Sequence, residues 1–477
     1  MSVDSTTGPA LTAELDQFVG RLGSALGEQW APAARKWVAR APGRIDVMGG
    51  FAEYTGSLVL SYPLARGVLV AVAPRDDQQV VICALTHEGN GAATQCSWPL
   101  AQFYQPAGTL ADPGTVTQQL ADRPCDGAGD IAAALYALLQ RQTIPHLGGG
   151  LTVGMGSALS GVVGAGAAAA NSVATILAIN QWLDLNLDAM TCAELACHGQ
   201  NLLWNRAQDV ADAVAVTFAQ PERVLQLNCQ TRQVIGSLPL PQGATLTAID
   251  CGARSPSAHQ KYIDARVAAL MGRNLIARVL ALEPARAPAW DGALSKLTIQ
   301  DYVEGLRDRL PTKIKGRDFI DRFGQTGDHL TRIDPDKIYK VRSRAEHHIY
   351  ENARAHQFAE RLARAGRTQD PQTILEAGEL MYASHWSYGQ RCGLGSIETD
   401  RLVTLLRRIH PDLGVYGARI SARGAGGTVV VLHRDTDDTR DAIRGAAEEY
   451  ARNTDYQPDI LTGSSLGAHA WGVHEII

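Results

Sequence analysis

At 477 residues the chain is too long for one ordinary core, and with 45% apolar and 19% charged residues it has the make-up of a globular protein. A formal net charge of −5 argues against nucleic acid or an anionic membrane as partner. No apolar run reaches the roughly 18 residues of a membrane span, Met1 to Ala10 carries no signal-peptide pattern, and the eight cysteines form no CxxC pair, so buried thiols in a reducing cytoplasm are expected.

Residues 11–36 carry an amphipathic helical pattern, followed by a strand from Trp37 to Ala41. Pro42 to Ser57 then reads as a polar, glycine-rich loop, with Arg44, Asp46 and Glu53 in a short space. Strand signals follow at 58–60 and 68–72, and 87–128 reads as loop and insertion. A helix is expected from Asp130 to Arg141, a strand at 151–153, and a helix over 173–183. A second helix covers 193–205, and Asp209 and Asp212 precede an apolar run at 213–218. Strands are expected at 224–227 and 246–249, then a helix with Tyr262, Arg266 and Met271. Residues 283–345 are Pro- and charge-rich helices and turns, and 346–390 hold two helices. A strand–loop–strand at 414–432, a helix at 438–453 and a strand at 469–477 complete the chain. Strands and helices mix without regular βαβ alternation, so the expected class is α+β.

Gly161-Val-Val-Gly164-Ala-Gly166-Ala167-Ala168-Ala-Ala-Asn171-Ser172 is the stretch around which the rest is arranged. Glycines let backbone approach a ligand, and the free N–H groups of a following helix face an anion. A phosphate cradle and a close helix–sheet packing turn both fit this loop. No Lys-Ser/Thr closes it as a Walker loop, and Asp184, the only acid near the spacing of a dinucleotide site, follows a helix rather than a strand. Cys192, Cys197 and His198 do not share a helix face and read as packing. His347-His348 beside Glu346 read as a solvated helix face, His385 as either a cleft or a packing residue, and Arg391 as a phosphate or a surface group.

The three loops together resemble the GHMP kinase superfamily, and within it the galactokinase-like sugar kinases, the arabinokinase branch above all. The first motif is Gly43-Arg-Ile-Asp-Val-Met-Gly-Gly-Phe-Ala-Glu-Tyr-Thr-Gly-Ser-Leu-Val-Leu60. Asp250-Cys-Gly-Ala-Arg254, His348-Ile-Tyr-Glu-Asn352, Ser384-His-Trp-Ser-Tyr388 and Cys392-Gly-Leu-Gly-Ser396 are similar as well. Gly417-Ala-Arg-Ile-Ser-Ala-Arg-Gly-Ala-Gly-Gly-Thr428 looks like the third motif, and the resemblance covers residues 37–477. It implies a two-domain α+β fold, residues 1–240 and 241–477, with sugar and ATP in the cleft between. It also implies a sugar 1-kinase, with Arg44 and Asp212 as the catalytic pair. Asp46, Gly50, Phe51, Glu53, Tyr54, Asp209 and Tyr262 are expected on the sugar. Gly161, Gly164, Gly166, Ala167, Ala168, Asn171, Ser172, Arg423, Gly424 and Gly426 are expected on the nucleotide. The partners are a small-molecule sugar and a nucleotide, and the chain is expected as a monomer or homodimer.

Two departures from the family pattern bear on function. Galactokinases carry Glu-His where this chain has Gly50-Phe51, which favours a pentose such as L-arabinose over galactose. The family's Mg²⁺-ligating serine and carboxylate fall on Ala168 and Gln200, so no metal ligand is expected at those positions and Mg²⁺ use is doubtful. Asp209, Asn171 or Ser172 as relocated ligands, or Arg423 as a replacement charge, would preserve the reaction. The alternative is a GHMP-fold relative without Mg²⁺-dependent kinase activity, which binds sugar or nucleotide or runs another reaction with Arg44 and Asp212.

Overall fold

The computed structural model describes residues 9–30, 35–86, 93–120, 125–144, 148–283, 285, 290–421 and 426–476. Helix α1 (Pro9–Leu26) leads through a short 3-10 turn, Gly27–Trp30, into an eight-stranded sheet. Its strands are β1 (Lys36–Met48), β2 (Leu58–Arg75), β3 (Gln79–Leu85), β4 (Ala93–Pro99), β5 (Gly150–Ser157), β6 (Arg223–Asn228), β7 (Gln233–Pro239) and the tail strand β14 (Val473–Ile476). The order is β14-β1-β2-β5-β3-β4, with β6 on β2 and β7 on β6; β3 and β5 are parallel and every other pair is antiparallel. A second sheet, order β11-β12-β8-β13, is built from β8 (Ala244–Arg254), β11 (Val415–Ile420), β12 (Gly426–Arg434) and β13 (Asp459–Leu461). A two-stranded ribbon, β9 (Ile314–Lys315) with β10 (Ile338–Tyr339), lies between β8 and β11 in sequence. The α+β expectation holds.

The chain changes sheets between Pro239 and Ala244, yet the tail returns to the first sheet through β14. The main apolar core is also continuous across that point. Val173, Ile176 and Ile179 belong to the same cluster as Leu246, Phe358, Leu362 and Val430. Burying each such side chain contributes roughly 1.5–3 kcal/mol.

Several local expectations are corrected. Pro42 to Met48 is not loop: β1 runs straight through it, paired with β2, with irregularities between Pro42 and Arg44 and between Asp46 and Met48. Those register shifts let Arg44 and Asp46 sit in a strand while both are buried. The polar stretch 87–128 contains β4 and helix α2 (Pro113–Leu120), with 87–92 and 121–124 outside the described residues. His347 and His348 are not a solvated face; both rings are buried inside helix Val341–Thr368. Cys192 and Cys197 are buried in helix Ala189–Trp204, and the His198 ring pairs through Nε2 with Gln140 Oε1.

Candidate active site

Helices α3 (Ala128–Gln140), α4 (Ala167–Trp182), α5 (Ala189–Trp204), α6 (Ala211–Phe218) and α7 (Ala258–Leu282) place the site. Helix α4 begins six residues earlier than periodicity alone suggests, because Ala167 to Ala170 are strong helix formers. Its N-cap is Gly166, in the left-handed region at φ 80° with no side-chain cap. The first amide groups of α4 therefore point out of the helix with the positive end of its dipole behind them. A Cβ at Gly166 would lie 2.9 Å from Arg44 Cγ, so only glycine lets the arginine cross the loop here. Two motifs brace the loop from the far side: Thr428 Oγ1 of the third motif donates to Val163 O, and Arg254 of the Asp250–Arg254 stretch donates to Gly161 O while ion-paired to Asp250. Gly426 opens β12 beside it; Arg423 and Gly424 lie outside the described residues. A cavity of about 740 Å³, bounded by Leu85, Thr86, Asp126 and Ala158, reaches Ser160, the residue before the loop.

Arg44 and Asp212 meet. Arg44 Nη2 lies 2.6 Å from Asp212 Oδ2, and the side chains are 3% and 21% exposed. Arg44 Nη1 donates to Gly164 O (2.9 Å), and its backbone N–H donates to Ala165 O (2.8 Å). The guanidinium thus ties the carboxylate to the glycine loop. With the guanidinium buried and the carboxylate partly solvated, this is not a surface ion pair.

Asp212 is carried by a strained loop with Asn205 and Ala207 at positive φ, feeding the first turn of α6. That loop is held by four side chains from three places. Glu53 Oε1 accepts from Asp209 N–H (3.1 Å), and Tyr262 Oη donates to Ala207 O (2.8 Å). Arg266 Nη1 donates to the same carbonyl (3.1 Å), while Asn201 bonds both backbone groups of Gln208. Arg266 is buried, ion-paired to Asp328 at 2.9 Å, and stacked 4.3 Å from the Tyr54 ring centroid. Glu53, Tyr54, Asp209 and Tyr262 are therefore gathered around the loop before Asp212, with Glu53 and Tyr262 bonded to its backbone. Sequence reading missed Asn201, Arg266 and Asp328 as holders of this loop. The buried charge of Arg266, four residues after Tyr262 on one helix face, was the available signal.

The remaining residues expected on the sugar are placed as follows. Asp46 is buried, 3.0 Å from Arg419, and its Oδ1 accepts from Gly50 N–H. Burial pushes its carboxyl up, against Arg419 and Arg44. A Cβ at Gly50 would approach the Asp46 carboxylate to 2.5 Å. The Phe51 ring is wholly buried, packed among Tyr54, Tyr262, His347, His348 and Tyr388, and its N–H donates to Tyr388 Oη. Behind it, burial and the nearby Arg266 hold the His348 imidazole down at about 3, so it stays neutral between Tyr54 Oη and Thr55 Oγ1. Burial pushes Glu351 up, but Arg354, His347 and Arg419 outweigh it and hold its carboxyl at about 2.

The family's metal positions do not fit a cation as single residues. Ala168 offers no oxygen, and Gln200 is neutral and buried, its Nε2 donating to Asp130 Oδ1 (2.9 Å) and Ser172 Oγ (2.8 Å). Asn171 Nδ2 donates to Asp130 Oδ2 (2.8 Å). Oxygen donors are thus present one turn into α4, around a carboxylate of α3.

Residues 27–74 match the galactokinase galactose-binding signature, and residues 359–452 match the GHMP kinase C-terminal region. The chain is 29% identical to L-arabinokinase of Arabidopsis thaliana, over 91% of its own length and 46% of that protein, so it spans about half of that relative. It is 24% identical to galactokinase of Bacillus subtilis, over 88% of this chain and 90% of the relative. The fold matches Lactococcus lactis galactokinase complexed with galactose at a TM-score of 0.66 and 16% identity, covering 98% of this chain and 99% of the other. It also matches Methanococcus jannaschii mevalonate kinase at 0.54 and 11% identity, over 90% and 98%. With one signature spanning the strand that carries Arg44 and the other spanning β12 with Thr428, the chain resembles the galactokinase-like members of the GHMP kinase superfamily in both of these regions.

Proposed function

We propose that the protein is a sugar 1-kinase that transfers the γ-phosphoryl group of ATP to the anomeric hydroxyl of a monosaccharide, a pentose such as L-arabinose before galactose. The observation that carries this reading is the Arg44–Asp212 pair, closed at 2.6 Å and anchored to Gly164 at the mouth of an uncapped helix.

Asp212 accepts the proton of the sugar C1 hydroxyl as its oxygen bonds to the γ-phosphorus. The bond from that phosphorus to the β–γ bridging oxygen breaks, and ADP leaves with the electron pair. Arg44 spreads the charge of the moving phosphoryl group, and the first amides of α4 hold the nucleotide phosphates. The cavity beside the loop takes the rest of the nucleotide. Asp130, Asn171, Ser172 and Gln200 are the residues whose oxygens would hold a divalent cation, which would supply neutralisation of the charge that develops during transfer.

The pentose preference is supported by positions 50 and 51. Gly50 has no side chain and Phe51 buries its ring, so neither donates a hydrogen bond to a C6 hydroxyl. The similarity to an arabinokinase points the same way. ADP release with a panel of pentoses and hexoses tests the reading. The expected result is turnover with kcat/KM for L-arabinose at least about tenfold above galactose, the worth of one well-made polar contact. A folded protein that releases no ADP with any sugar, yet is thermally stabilised by one, overturns it in favour of a sugar-binding relative.

A further inference from the structure

Four side chains from three helices converge one turn, about 5.4 Å, into α4 from Ala168. Asp130 comes from the first turn of α3, Asn171 and Ser172 from α4, and Gln200 from α5. Both amides turn their NH₂ groups onto the Asp130 carboxylate, at 2.8 and 2.9 Å. As a result Asn171 Oδ1 and Gln200 Oε1 are buried without a hydrogen-bond partner among the described residues. Asn171 is 5% exposed and Gln200 0%. An unpartnered buried carbonyl oxygen is unfavourable, and here two stand beside one carboxylate. Asp130 is the least buried of the four residues.

This arrangement has one simple resolution. Rotating each amide about its terminal torsion exchanges NH₂ for C=O, which is repulsive against a bare carboxylate and favourable with a hard cation between them. The oxygens of Asp130, Asn171, Gln200 and the Ser172 hydroxyl then form an all-oxygen donor set of the kind Mg²⁺ and Mn²⁺ take. We propose that these four residues form a divalent-cation site beneath the glycine loop, with Asp130 supplying the carboxylate that position 200 lacks. The site deepens the phosphoryl-transfer reading, on which its link to the nucleotide rests, but cation binding itself does not depend on turnover.

Mn²⁺ serves as the probe, titrated into the full chain with the free-ion EPR signal as readout, with and without a non-hydrolysable ATP analogue. The wild type is expected to bind one Mn²⁺ more tightly than the analogue alone does. Asp130→Asn, nearly isosteric, is expected to weaken that binding at least tenfold with its circular dichroism and melting profile retained. Gln200→Glu, which adds a second carboxylate, is expected to tighten it about tenfold. Equal Mn²⁺ affinity in wild type and Asp130→Asn, or no binding beyond the analogue's own, overturns the site. Sugar-dependent ADP release is measured on the same samples, so a kinase that turns over with Asp130 idle refutes the cation site alone. Absent turnover with Mn²⁺ binding intact refutes the kinase reading alone.

Discussion

Asp212→Asn separates the chemistry of the site from its architecture. The amide keeps an oxygen for Arg44 Nη2, and Arg44 retains Gly164 O through Nη1, so the guanidinium stays anchored. Because Asp212 is 21% exposed, the unbalanced charge of Arg44 is partly screened, and the stability loss is roughly 1–2 kcal/mol. The barrier effect is larger. Loss of a positioned general base costs about 10²–10⁴ in rate, or about 2.7–5.5 kcal/mol of transition-state stabilisation. In a coupled ADP-release assay kcat should therefore fall by two to four orders of magnitude, while KM for sugar and for ATP stays within about threefold. A variant that keeps kcat within a few-fold of wild type, or loses only KM, would show that Asp212 does not touch the reacting oxygen.

Gly166→Ala puts a methyl into Arg44 Cγ at a backbone with φ 80°; a stability loss of about 1–2 kcal/mol and a kcat loss of about tenfold or more are expected, and unchanged kcat at lowered melting temperature would separate the loop from Arg44. Phe51→Ala empties a fully buried site and should cost about 3–5 kcal/mol in urea unfolding; a loss below 1 kcal/mol would mean the aromatic cluster is not packed as seen. Arg419→Met leaves the Asp46 and Glu351 carboxylates without their shared guanidinium and should destabilise by about 3–5 kcal/mol, read by chemical denaturation. His348 stays neutral in the fold to about 3, whereas the unfolded chain protonates it near 6.5. The unfolded state then binds more protons between those values, so stability falls as pH drops from about 6.5 toward 3. Glu351 acts in the same direction lower down, its contribution being full above about 4.5 and lost as pH falls through about 2. Urea midpoints measured from pH 7 to pH 4 should decline, and His348→Gln should flatten the decline; a flat wild-type profile contradicts the buried neutral imidazole.

Local chemistry made some parts of this molecule legible and hid others. The glycine loop and the body of the helix after it were readable from the glycines and the apolar run, whereas the pairing of Arg44 with Asp212 followed only from the family resemblance, and the alanine run that opens the helix was not read as helix. The strand through Pro42–Met48 was not readable, since Arg44 and Asp46 look like loop residues until Arg419, Asp212 and Gly50 supply their partners from elsewhere in the chain. His347 and His348 misled for the same reason: a charged-looking helix face becomes core once Phe51 and Tyr388 pack on it. Asp130 carried no local signal at all. It reads as an ordinary first-turn acid, and its meaning comes from Asn171 and Gln200, 41 and 70 residues away.

The most direct test is ³¹P NMR of the product formed from ATP and L-arabinose by the wild-type protein and by Asp212→Asn. The account predicts ADP and a sugar phosphate whose phosphorus couples to the anomeric proton, with that signal lost in the variant at matched protein and time. A product phosphorylated at another hydroxyl, or an anomeric phosphate that the variant forms just as fast, would contradict it.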